Sequence, residues 1–325
     1  SVTGLTSNTC ILGEDIKNSS VYDGDIRKKL KLDQLGEKLF LDLALEDLSH
    51  AADLLQPVFD QTDGVDGWVS FGVSPLIAHD TDCIHDAALD LYARLQRPNF
   101  FVEIPGTKDG LPAVEESIFA GVPVNVTLLF SWTQYLEAAA AFLRGIERRT
   151  AAGLKPNVAS VASMSVCHWD AAVASKVPEE LHNQLGVAVA RRTYKAYREL
   201  LNSPRWQRAC KAAVQPQRLL WTGLEISGAD ISEDFYIKAL AAPFTIVSTS
   251  ESNLQAFLHR GEIGKLMAED GGDCEAVLAR FADAGIDIDS LAFELQKEEA
   301  ASAVKNWIDL MSGLASKSAV LWHSA

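Results

Sequence analysis

Apolar and polar positions alternate between two patterns along this chain. Short, nearly continuous apolar runs lie at Val2–Ser7, Gly67–Val73, Asn99–Ile104, Val122–Leu129, Ala159–Val166, Leu219–Leu224 and Phe244–Thr249. Runs of this kind suit parallel strands covered on both faces. Between them the apolar residues recur at helical spacing, as in Leu45, Leu48, Ala52, Leu55 and Phe59, and again in Trp132, Leu136, Ala139 and Leu143. Beyond the last strand the pattern predicts three helices. The longest runs from about Ser290 to Ala315, with Leu291, Leu295, Val304, Trp307, Ile308 and Met311 on one face. Repeated strand–helix units imply a parallel sheet with right-handed crossovers. Seven strands are one short of a (β/α)8 barrel, and a doubly wound sheet is the alternative. Neither GxGxxG nor GxxxxGK followed by Ser or Thr occurs, so nothing points to a nucleotide fold. With no linker-like or low-complexity stretch, the expected organisation is one α/β domain over residues 1–325, ending in helices.

Composition narrows the function classes. The chain has 325 residues, 48% of them hydrophobic and 22% charged, enough to build a sizeable core and too apolar for a disordered chain. Its net charge of −15 argues against nucleic acid or an anionic membrane as partner, since both select basic faces. No apolar run approaches the roughly 18–20 residues of a membrane span. No signal peptide is visible, and a cytoplasmic location is expected. The five cysteines, Cys10, Cys83, Cys167, Cys210 and Cys274, are widely spaced. Without CxxC or Cys/His ligand spacing, reduced thiols and no metal or other cofactor are expected. The partner to expect is a small-molecule substrate, with a homodimer left open.

The strand-end motifs decide between the two folds. In order they read Thr6-Ser7-Asn8, Val69-Ser70-Phe71-Gly72-Val73-Ser74-Pro75, Ala78-His79-Asp80-Thr81, Ile104-Pro105-Gly106-Thr107, Asn125-Val126-Thr127-Leu128-Leu129-Phe130-Ser131 and Ala159-Ser160-Val161-Ala162-Ser163. In this order and spacing the chain resembles the transaldolase family, close to its bacterial branch, from Val2 to about Ser316. The resemblance implies a (β/α)8 TIM-type barrel with its site at the C-terminal strand ends. It also implies that the first strand lies upstream of Ser1 or has been lost.

What the resemblance implies chemically is a lysine that forms a Schiff base with a ketose phosphate. Around that lysine the family reads I-K-I-P-A-T, and this chain reads Ile104-Pro105-Gly106-Thr107 after Val102-Glu103. Glu103 stands where the amine should be, and a carboxylate cannot make an imine. Other departures agree. The family's V-S-L-E-V-S-P glutamate is Gly72, and the arginine of S-F-F-V-S-R is His168. The W-A-S-T-G-T-K-N-P turn has become Trp221-Thr222-Gly223-Leu224-Glu225-Ile226-Ser227-Gly228-Ala229. N-T-M-P is Val247-Ser248-Thr249-Ser250, and the proline of T-S-N-P is Thr9. Asn8, Asn125, Thr127 and Ser163 are retained. Loss of two charge-assisted contacts, at about 1.5–3 kcal/mol each, predicts phosphate binding weakened several hundredfold or more.

Each candidate has a plain alternative. Glu103 is either a general acid/base, its pKa raised by Phe101 and Ile104, or a relic hydrogen-bonded to Asn125 or Thr127. Glu225 either adds a second carboxylate to the mouth or is solvated. His168 is a proton shuttle or a structural histidine. Ser163 and Ser165 are candidate donors to substrate, and no Ser-His-Asp order is evident. Cys167 is expected to be buried and inert, and Trp169 and Trp221 to be packing residues. Asp80 is expected to cap the following helix. Lys108, five residues beyond Glu103, is either a displaced Schiff-base lysine or a solvent-facing loop residue. The leading expectation is therefore a transaldolase-like enzyme without imine chemistry. It would use Glu103, with Asn125 and Thr127, on a neutral or cationic substrate held by Asn8, Ser163, Ser165, His168 and Glu225. Carbon–carbon bond formation, cyclisation, isomerisation and lyase chemistry all fit. The alternatives are a non-catalytic binding homologue and a pentose phosphate transaldolase using Lys108.

Overall fold

The structure, a computed structural model, describes residues 2–7, 13, 16–224, 232 and 234–323. Each predicted strand is present: β1 (Gly4–Thr6), β2 (Trp68–Gly72), β3 (Phe100–Pro105), β4 (Val124–Leu129), β5 (Ser160–Ser165), β6 (Arg218–Thr222) and β7 (Thr245–Val247). The sheet follows chain order from β1 to β7. The pairs β1–β2, β2–β3, β4–β5, β5–β6 and β6–β7 are parallel. Sequential strand order separates this sheet from a doubly wound one, in which the order reverses.

The chain forms two compact units, Ser1–Glu103 with Ala300–Ala325, and Ile104–Glu299. In the first unit the helix Gly36–Gln61 buries Leu39, Phe40 and Leu43 together with Leu45, Leu48 and Ala52 of the predicted stripe, while Leu55 and Phe59 of that stripe are half-buried. Phe40 meets Trp307 of the long C-terminal helix edge to face, with ring centroids 5.3 Å apart. The buried Asn99 side chain donates to the carbonyls of Ala52 and Gly67 and so ties that helix to the entry of β2. The C-terminal helix runs from Ile288 to His323, longer at its end than the apolar spacing suggested.

In the second unit, helix starts are written into the sequence. Ser131 and Gln134 form a reciprocal capping box at the helix Trp132–Ala151. Phe130, Trp169, Leu185, Ala188, Phe281 and Leu295 form the centre of a buried cluster. Trp169 and Trp221 are fully buried, as expected of packing residues. In the first unit Asp80 accepts from Cys83 N at 3.0 Å, the cap expected of it, and that bond holds its carboxyl below the usual range. Among the described residues, no helix is long and apolar enough to cross a membrane.

Candidate functional site

Parallel register places Gly72 directly opposite Glu103 and Ser70 opposite Phe101. Side chains alternate along a strand, so Ser70, Gly72, Phe101 and Glu103 share one face. On that face Phe101 stacks on Trp68, with ring centroids 4.0 Å apart, one layer below Glu103. Trp68 Nε1 donates to Gly64 O at 2.9 Å, which fixes the aromatic pair. Ser70 Oγ donates to Glu103 Oε1 at 2.6 Å. Glu103 is half-buried, in a strand whose other residues are all buried. Ser70, which the sequence reading did not single out, is thus a partner that holds the carboxylate. A Cβ on Gly72 would lie 3.6 Å from Glu103 Oε2, so the glycine itself puts no side chain beside that oxygen.

In the second unit Ser163 Oγ donates to Asn125 Oδ1 at 2.7 Å, and both residues are buried. Thr127 is half-buried in a local irregularity of β4, where the register with β5 shifts between Val126 and Leu129. Leu128 adopts a positive φ of 58° there, an uncommon conformation for a branched side chain. Three hydrogen bonds hold it. Gly106 N donates to Thr127 O at 2.7 Å, and Gln296 Nε2 donates to Leu128 O at 2.8 Å and to Gly106 O at 3.1 Å. A bulge of this kind re-aims the side chains beside it. Gly106 makes the approach possible, since a Cβ there would lie 2.3 Å from Leu129 Cδ2.

At the end of β5, Ser165 Oγ lies 2.8 Å from His168 Nδ1, and Cys167 Sγ lies 3.9 Å from the same nitrogen. His168 Nε2 faces Glu299 Oε2 at 3.6 Å. The short helix Cys167–Val173 carries this histidine and is anchored beneath it. Trp169 Nε1 donates to Phe130 O at 3.1 Å, while Asp170 accepts from Leu185 N at 2.9 Å and from Tyr236 OH at 2.7 Å. Burial pushes the Asp170 carboxyl up, against these hydrogen bonds, and pushes the Tyr236 phenol up as well. Cys167 is only partly buried, against the expectation of a buried thiol, because it sits at the open start of that helix. Lys108 is exposed. Asn8, Thr9, Cys10 and the segment Glu225 to Ala229 lie outside the described residues.

Sequence reasoning overlooked Ser70, Gln296 and Glu299. Ser70 was legible as the residue two before Gly72 on a shared face. The other two sit in a charge-rich helical stretch with nothing local to distinguish them.

A profile described as Transaldolase/Fructose-6-phosphate aldolase matches residues 1–314. The chain belongs to the transaldolase family. It is 34% identical over 321 residues to a transaldolase of Acidothermus cellulolyticus, covering 96% of this chain and 86% of that protein. It is 33% identical over 323 residues to a transaldolase of Thermobifida fusca, covering 97% and 88%. Transaldolase 2 of Nostoc punctiforme is 30% identical over 340 residues, covering 98% and 89%. Family membership carries the TIM-type α/β fold class expected from the strand-end motifs. Set beside the family pattern, the register adds a relation invisible in the sequence. Gly72 and Glu103, the two positions at which the sequence reading found departures from the family pattern, are cross-strand neighbours. A glutamate at 72 beside Glu103 would place two like charges opposite each other, which is destabilising.

Proposed function

We propose that this transaldolase-family protein is a cytoplasmic enzyme, a single barrel domain over residues 1–325, that works by proton transfer at Glu103 instead of through an imine. The observation that carries the reading is the Glu103 carboxylate, anchored through Oε1 by Ser70 at 2.6 Å, at the position where the family pattern has its lysine. Ser70 fixes one oxygen, and the side-chain-free Gly72 borders the other. A carboxyl group held in this way gives or takes a proton at a fixed point, a role that typically supplies about 10²–10⁴-fold in rate. The aromatic layer below, Trp68 on Phe101, excludes water from that side. A negative group in place of a positive one favours a neutral or cationic substrate over a sugar phosphate. Carbon–carbon bond formation, cyclisation, isomerisation and lyase steps are the reaction types that such a group serves.

A second reading draws support from the relatives, which are named transaldolase across nearly their whole length. In it the chain is a pentose phosphate transaldolase whose amine is Lys108. A Schiff-base lysine is normally activated by desolvation or by a neighbouring cation. Lys108 is exposed, which weighs against this reading. Borohydride reduction in the presence of fructose 6-phosphate or dihydroxyacetone separates the two. The proton-transfer reading expects an unchanged protein mass. A stable adduct mapped to Lys108 selects the transaldolase reading and ends the first.

A further inference from the structure

We infer that Ser165, His168 and Glu299 form a proton relay in which Ser165 Oγ is an activated hydroxyl, poised to take a proton from a hydroxyl group of a small neutral, polyhydroxylated ligand. Ser163 and Ser165 lie two residues apart on β5 and share a face, the face on which Ser163 meets Asn125. Ser165 therefore presents its hydroxyl beside two other polar groups. Its immediate partner is the imidazole, at 2.8 Å.

The direction of the relay follows from the far end. An ionised carboxylate only accepts hydrogen bonds, so a neutral His168 facing Glu299 is favoured with its proton on Nε2. The separation of 3.6 Å makes this a charge–dipole contact, longer than a hydrogen bond. Nδ1 of that tautomer is then an acceptor and draws the Ser165 proton toward itself. Cys167 Sγ competes for Nδ1 from 3.9 Å and is the more distant partner. The ring is held further by Phe130, edge to face at 6.0 Å. Gly223 closes over the pair with a φ of +61°, and a Cβ there would lie 2.7 Å from Ser165 Oγ and 3.3 Å from His168 Nδ1. A side chain at that position would strain the backbone and displace Ser165 or His168. His168 and Glu299 side chains are 40% and 42% exposed, so protons leave the relay to solvent.

The step balances without a co-reactant. The ligand O–H bond breaks as its proton joins Ser165 Oγ, and the bonding pair stays on the ligand oxygen as an alkoxide whose charge balances that of the imidazolium. The original Ser165 proton passes to Nδ1, and the resulting imidazolium faces the Glu299 carboxylate. The amides of Val166 and Cys167 donate to the carbonyls of Thr222 and Gly223. Neither amide is therefore free to bind an oxyanion. Only the purpose of the relay rests on the reaction proposed for Glu103. Its existence is tested without that substrate.

Long-range proton–nitrogen NMR of His168 reads the tautomer directly. The neutral ring is expected with its proton on Nε2, and Glu299→Gln is expected to shift the population toward Nδ1. A wild-type ring protonated on Nδ1 overturns the inference. Diisopropyl fluorophosphate, with adducts mapped by peptide mass spectrometry, reads the serine, whose proton goes to His168 as fluoride leaves. Ser165 is expected to be labelled ahead of the other serines, at least tenfold more slowly in His168→Asn and unchanged in Cys167→Ala. Absence of a Ser165 adduct in the folded protein, or labelling indifferent to His168→Asn, overturns the inference and leaves the Glu103 reading standing.

Discussion

Replacing Glu103 by glutamine separates a working acid/base group from a structural one. The amide keeps the shape of the side chain and an oxygen that still accepts from Ser70. A hydrogen bond to a charged group contributes about 1.5–3 kcal/mol and one between neutral groups about 0.5–1.5, so the exchange costs on the order of 1 kcal/mol. For a chain of this size 1 kcal/mol corresponds to roughly 2–4 °C or less in Tm. The wild-type carboxylate receives the buried Ser70 hydroxyl at 2.6 Å, so a rise in Tm is not expected. Rate behaves differently. Losing the titrating proton removes about 10²–10⁴-fold, equivalent to about 3–5 kcal/mol of barrier. The assay follows deuterium uptake from heavy water into neutral ketoses and hydroxyketones, since proton transfer at carbon is visible there before any product is known. The expected result for Glu103→Gln is an exchange rate down at least a hundredfold with Tm within a few degrees of wild type. Exchange at the wild-type rate would refute the role given to Glu103, whatever the stability shows.

Two further outcomes are expected. Gly106→Ala forces a methyl group against Leu129 Cδ2, in a residue that is fully buried and has nowhere to retreat. Urea unfolding should show a loss of about 1–3 kcal/mol. Gly72→Ala meets only ordinary contacts at 3.6 and 3.7 Å and should be within about 0.5 kcal/mol of wild type or slightly better. A large loss at Gly72 and none at Gly106 would reverse the account of both strands. For pH, the folded pKa of Asp170 is raised by burial above its unfolded value near 3.9. The stability linked to its protonation is fully present below about pH 3.9 and is lost as pH rises through the folded value. Asp170→Asn has no such proton, so thermal melts from pH 4 to 8 should show wild type losing ground to the variant as pH rises. A difference that stays flat with pH would contradict the buried-carboxylate assignment.

The strands were legible because their signal is local: a run such as Val124–Leu129 declares itself by composition within its own length. Helix starts were equally local, since Asp80 caps through a residue three positions on. The position of Glu103 on its strand could also be read along the chain. What no local pattern holds is which residue stands opposite. Register brought Gly72 against Glu103 and let Ser70 reach it from the neighbouring strand. Folding of the C-terminal helix brought Glu299 to His168 and Gln296 to the bulge at Leu128. Those pairings depend on contacts between residues far apart in the chain, made only when the strands and helices pack. Sequence therefore determined the strands and the family, and tertiary structure alone decided which groups stand beside Glu103 and beside His168.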